Sequence, residues 1–145
     1  MLTAHDQKSI AFLGDSITLG YGLSDPSLRY STLICKEYGI REENYGITGT
    51  LIANAGVSRG KGISFVERVS LVEQADLAVV FGGTNDYFWS DCPIRAPKGA
   101  EDSTEYFETA VDRLLRFCAE HRPKGKTLIV TPYPHHGVGN YSGAP

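Results

Sequence analysis

Residues 10–20 read IAFLGDSITLG, and the fold turns on where this stretch breaks. Ile10, Ala11, Phe12 and Leu13 form a short apolar run that stops at Gly14-Asp15-Ser16. A polar loop punctuated by glycine follows, and a helix is expected from Pro26. That order describes a buried strand, a tight turn and a helix. A serine just past a buried strand stands at the carboxyl edge of an α/β sheet, where such folds take their ligands. Ser and Asp also cap helices and turn chains, so this tripeptide points to a site only in the company of other segments.

Outward from that strand (residues 9–13), the helix of residues 26–38 starts suitably with Pro26 and stops at Gly39. Two segments compete for the second strand: the polar 42–47 and the more apolar 51–55, which hydrophobicity alone favours. Residues 64–73 space Phe65, Val66, Val69 and Val72 as one helical face, opened by a Ser64/Glu67 capping box. Residues 76–82 (DLAVVFG) are an unbroken apolar run, as expected of a strand covered on both faces. The long connection 87–102 has the length of a lid or specificity loop. Residues 104–121 predict an amphipathic helix with Phe107, Val111, Leu114, Leu115 and Cys118 on one side. Residues 126–130 (KTLIV) predict a fourth strand.

Strands alternating with helices predict an α/β fold of three layers, α/β/α, about a parallel sheet. Right-handed crossovers bring the strand-to-helix loops to one edge. Ser16, the glycines of 46–56, Asn85, His135 and His136 are therefore expected on a single rim.

A chain of 145 residues is expected to form one domain over 1–145. With 41% hydrophobic and 21% charged residues the composition is that of ordinary globular proteins. A net charge of −3 gives no electrostatic case for nucleic acid. No apolar stretch reaches the length of a membrane span, and the first residues, MLTAHDQKS, lack the apolar core of a signal peptide. Cys35, Cys92 and Cys118 are an odd number without metal-type spacing, which suggests free thiols and a cytoplasmic location. Cys92 as a reactive thiol is the weaker reading.

After the third strand comes Gly82-Gly83-Thr84-Asn85-Asp86, which reads either as a turn or as a means of presenting the Asn85 amide at the rim. Taken with GDSIT at 14–18 and NYGITGT at 44–50, GTND at 83–86 makes the chain resemble the SGNH (GDSL) hydrolases, a family of esterases, lipases and acylhydrolases. The resemblance implies a flavodoxin-like sheet, a small-molecule ester substrate and no cofactor or metal. It implies Ser16 as nucleophile and, through its own N–H, as one oxyanion donor. Gly49 and Asn85 are implied as the other donors, with Asp15, Gly83 and Asp86 in support. Gly56, in the turn after 51–55, is the rival to Gly49. The chemistry suits these residue types: acyl transfer builds negative charge on a carbonyl oxygen, and each fixed donor there is worth roughly 10²–10³ in rate.

A serine hydroxyl needs a positioned base, which this family takes from a C-terminal Asp-x-x-His segment. No aspartate here has a histidine three residues later. His135 and His136 follow the fourth strand on the expected rim and are the substitute candidates, while His5 and His121 read as surface residues. The family also implies a fifth strand and a closing helix, so the expectation is a C-terminally truncated domain. A fourth strand left uncovered, with Leu128, Ile129 and Val130, would favour pairing into a homo-oligomer.

Two other readings compete with an ester hydrolase acting through a Ser16 acyl-enzyme. A non-catalytic flavodoxin-like module would bind a small ligand on the same rim, although Gly14-Asp15-Ser16 lacks the glycine spacing or lysine of a phosphate loop. A metal-dependent hydrolase would use Asp15, Asn85 and His135 or His136, although no HExxH-type spacing is present. Tyr87, Phe88 and Trp89 would wall an apolar or sugar-stacking pocket. Short acyl esters, acetylated sugars and lysolipids are all open as substrates.

Overall fold

The structure, a computed structural model, describes residues 8–55, 63–88, 91–122 and 125–132. Four strands, β1 (Ser9–Gly14), β2 (Arg41–Gly46), β3 (Leu77–Phe81) and β4 (Lys126–Val130), make one sheet in the order β2-β1-β3-β4. Every pairing is parallel, with Phe12 opposite Asn44 on one side and Val79 on the other. This is the expected α/β sheet of flavodoxin-like order. Because the chain runs outward in both directions from the β1/β3 pair, the loops leaving those two strands part and open a crevice there.

The strands' alternation sorts the core into two clusters. Ala11, Leu13, Ala78 and Val80 meet Phe65 of α3 (Phe65–Arg68), Val69 and Val72 of the following 3₁₀ turn, and Ala110, Leu114 and Cys118 of α5 (Phe107–His121). On the opposite face Ile10, Phe12 and Val79 meet Cys35 and Tyr30 of α2 (Tyr30–Tyr38). The Phe12 and Tyr30 rings pack edge to face at 5.6 Å. Fully burying such a side chain contributes about 1.5–3 kcal/mol, so these clusters fix which face of each strand looks where.

The second strand is the polar candidate. Arg41–Gly46 has no buried residue, yet it pairs along its whole length with β1. As an edge strand it exchanges apolar cover for a polar net. Glu42 accepts from the Ser31 hydroxyl at 2.5 Å and the Thr32 hydroxyl at 2.8 Å, and the Asn44 amide donates to Thr18 O at 2.7 Å. Leu51, Ile52 and Ala53 are buried as predicted from their hydrophobicity, but in a loop, with Ile52 N and Ala53 N donating to Asp86 instead of to a neighbouring strand. Burial without a ladder is what hydrophobicity alone cannot distinguish from a strand.

Smaller differences have local causes. The expected helix 26–38 divides into a 3₁₀ turn, Pro26–Leu28, and α2, because Arg29 is extended between them. Gly39 ends α2 in the left-handed region at φ 61°, as its place in the sequence suggests. In α5 the buried line is Ala110, Leu114 and Cys118, and Leu115 is turned toward solvent. The first amides of α5, which have no partner inside the helix, donate to Pro93 O and Ile94 O of the long connection, each at 3.0 Å.

Candidate active site

The residue after β1 is Asp15, and Ser16 opens a single helical turn, α1 (Ser16–Leu19), where the sequence suggested only a polar loop. Asp15 caps this turn by accepting from Ile17 N at 2.9 Å. Two glycines let the turn lie directly on the sheet. A Cβ on Gly46 would stand 2.2 Å from Leu19 N, and one on Gly14 would stand 1.9 Å from the Thr18 hydroxyl. The position of Ser16 is therefore fixed by the ends of β1 and β2 together.

After Gly46 the chain makes a tight turn in which the Thr50 hydroxyl donates to Ile47 O at 2.9 Å. Gly49 occupies that turn at φ 75°, a conformation that strains any residue with a side chain. Ile47 N donates to Gly14 O at 3.1 Å, which ties the turn back to the end of β1. Among the described residues, neither Ser16 N nor Gly49 N is taken by a hydrogen bond.

The loop after β3 passes through Gly83 at φ 103° into a short helix, α4 (Thr84–Phe88). Asn85 is buried, and its side-chain amide donates to Thr50 O at 3.0 Å. That bond leaves the amide a second N–H. Asp86 accepts from Ile52 N at 2.9 Å and Ala53 N at 3.0 Å, one on each carboxylate oxygen. The end of β1, the Gly49 turn and α4 are thus bonded into one rim at the β1/β3 crevice, and Ser16, Gly49 and Asn85 all stand on it.

Charge on this rim is unusual. Burial pushes the Asp15 carboxyl above its ordinary range, outweighing the Ile17 amide; the Asp86 charge pushes the same way and Arg68 opposes it. Burial also raises Asp86 against the pull of its two amides. The side chain of Arg68 is wholly buried and donates to Gly14 O at 2.8 Å, to the Thr50 hydroxyl at 2.8 Å and to Tyr45 O. Sequence reasoning missed this arginine, since one cation among Phe65, Val66, Val69 and Val72 reads as the solvent side of a helix.

Other candidates fall elsewhere. His121 closes α5 at the amino edge of the sheet, away from Ser16, and stacks on Phe117 at 4.4 Å. His5, Gly56, Trp89, His135 and His136 lie outside the described residues. Tyr87 is exposed and meets Phe88 edge to face at 4.9 Å. The Cys92 thiol is pushed up to about 11, by burial first and the Asp86 charge second, which keeps it protonated at neutral pH. Among the described residues no three His, Cys, Asp or Glu side chains gather as metal ligands, and no helix is long and apolar enough to cross a membrane.

Over residues 12–145 the sequence matches the GDSL-like lipase/acylhydrolase family. No curated protein matches it. Among solved structures, a Lactobacillus plantarum protein is 28% identical with a TM-score of 0.71, covering 87% of this chain and 56% of that one. A protein described as a GDSL-like lipase from Bacteroides uniformis is 23% identical with a TM-score of 0.68, covering 88% and 72%. AlinE4, an SGNH-hydrolase family esterase, is 23% identical with a TM-score of 0.57, covering 88% and 60%. The chain spans a little over half the length of the Lactobacillus protein.

Proposed function

The chain belongs to the GDSL-like lipase/acylhydrolase family, and from that membership we propose that it is a serine ester hydrolase working through an acyl-enzyme on Ser16. The Ser16 hydroxyl oxygen attacks the ester carbonyl and gives its proton to a base. The oxyanion of the tetrahedral intermediate takes hydrogen bonds from Ser16 N, Gly49 N and the second N–H of Asn85. Collapse expels the alcohol, which leaves with the proton from the base, and water then releases the acid by the same steps in reverse roles. His135 or His136, the histidines that come after β4 in the sequence, is the imidazole assigned as base. Asp15 orders the loop through its cap on Ile17 and takes no part in proton transfer.

The observation that carries this reading is the bond from the Asn85 amide to Thr50 O. It fastens the third strand's loop to the Gly49 turn, which supports a reading in which donors from three segments serve one oxyanion. The substrate is a small ester: a short acyl ester, an acetylated sugar or a lysolipid.

The test is the intact mass of the protein before and after a fluorophosphonate probe, with Ser16→Ala beside it. One adduct on the wild type and none on Ser16→Ala is the expected result. A wild type that takes no adduct and hydrolyses no ester would turn the reading toward the non-catalytic binding module.

A further inference from the structure

Arg68 is 2% exposed and, among the described residues, makes no ion pair with a carboxylate. Withdrawing a guanidinium from water is costly, and an apolar side chain of similar volume commonly serves a core as well or better. This one lies over the Phe65 ring, 4.9 Å from its centroid, and spends its donors on uncharged oxygens. Nε reaches Ile63 O at 3.0 Å and Nη1 reaches Tyr45 O. Nη2 is shared, at 2.8 Å each, between Gly14 O and the Thr50 hydroxyl.

The choice of acceptors is informative. Gly14 lies two residues before Ser16, Thr50 directly follows Gly49, and Tyr45 ends in the peptide that leads to Gly46. We propose that Arg68 is the positioning residue of the oxyanion hole, a single side chain whose shared nitrogen fixes the spacing between the Ser16 and Gly49 amides. This rests on the ester-hydrolase reading of those amides. A planar fork suits the task because its N–H directions are set relative to one another, whereas a lysine ammonium is a point charge on a flexible stem. Burial holds the guanidinium down to about 10, still well above neutral pH, so it also stands as a fixed positive charge behind the place where the oxyanion forms.

Arg68→Lys separates geometry from charge. In the full chain, the second-order rate of fluorophosphonate labelling at Ser16 is expected to fall about 10- to 100-fold, the usual effect of misplacing a catalytic group by an ångström or less. Amide resonances of Ser16 and Gly49 should shift together while those of β3, such as Val79, stay in place. Equal labelling rates for folded wild type and Arg68→Lys would overturn the proposal and leave the hydrolase reading standing. If the wild type takes no label, the hydrolase reading fails for this chain and the amides decide: joint movement upholds the positioning role and unmoved resonances overturn it. Should Arg68→Lys not fold, Thr50→Val removes the hydroxyl that shares Nη2, together with its own bond to Ile47 O. It should slow labelling in the same direction by about 3- to 10-fold, and an unchanged rate with unmoved amides would again overturn the proposal.

Discussion

Asp15 and Asp86 are both withdrawn from water at the same rim, but they do different work. Asp15 satisfies one backbone amide, and Asp86 satisfies two, one on each oxygen. An asparagine can replace the first carboxylate without losing its cap. In place of the second it must turn an NH₂ group against a peptide N–H. Asp86→Asn should therefore destabilise the protein by about 1–3 kcal/mol, while Asp15→Asn should be neutral or slightly stabilising at pH 7, both read from urea midpoints. The pH dependence separates them from a nonspecific effect. A carboxyl whose pKa is raised by folding gives stability that is fully present below its unfolded value, near 3.8, and is lost as pH rises through the folded value. Asp15→Asn lacks that acid-side gain, so its advantage over wild type should shrink as pH falls through this window. The sequence already marked Asp15 as ordering the loop, because aspartate before a short turn is a capping residue. Arg68 left no such mark: apart from Ile63 O its acceptors are 18, 23 and 54 residues away, and no local pattern encodes them.

Among the elements, α1 shows how a strand end selects its neighbour. The turn carrying Ser16 rests on β2 where Gly46 has no side chain, and the contact there is with backbone, which cannot swing aside. Gly46→Ala is expected to push α1 off the sheet, at about 1–3 kcal/mol, and to slow labelling of Ser16 in the fraction that stays folded. Circular dichroism melts with labelling rates taken well below the transition would check both. A variant that labels at the wild-type rate would show that α1 tolerates the displacement. The identity of β2 was the least legible part of the fold for a related reason. A polar edge strand is stabilised by Glu42 and Asn44 bonding to α2 and α1, and a buried loop by Asp86. Both are tertiary arrangements that reverse the local hydrophobic signal. The interior strands β1 and β3 were legible as unbroken apolar runs, and the helix α5 through its helical periodicity.

Across the whole molecule, the parallel sheet has two edges with separate duties, and a buried arginine serves each. Topology made the carboxyl edge readable from sequence, since right-handed crossovers leave little choice about where Ser16, Gly49 and Asn85 must emerge. The amino edge carries no motif, yet it is clamped just as firmly. Arg122, 4% exposed at the end of α5, donates to Val72 O, to Ala75 O at 2.8 Å and to Lys126 O at 3.0 Å. It thereby joins the end of α5 to the starts of β3 and β4. Arg122→Met would strip these bonds from carbonyls in the interior, Val72 O keeping only the Ala75 N–H, with an expected loss of roughly 3 kcal/mol. The rim around Ser16 stands at the far ends of the same strands and should not register the change. Labelling of Ser16, normalised to the folded fraction from a urea titration, is expected to equal that of wild type, where Arg68→Lys should lower it. A matching loss of normalised rate in Arg122→Met would mean that the strands transmit displacement from one edge to the other, and that the oxyanion geometry depends on the sheet as a whole.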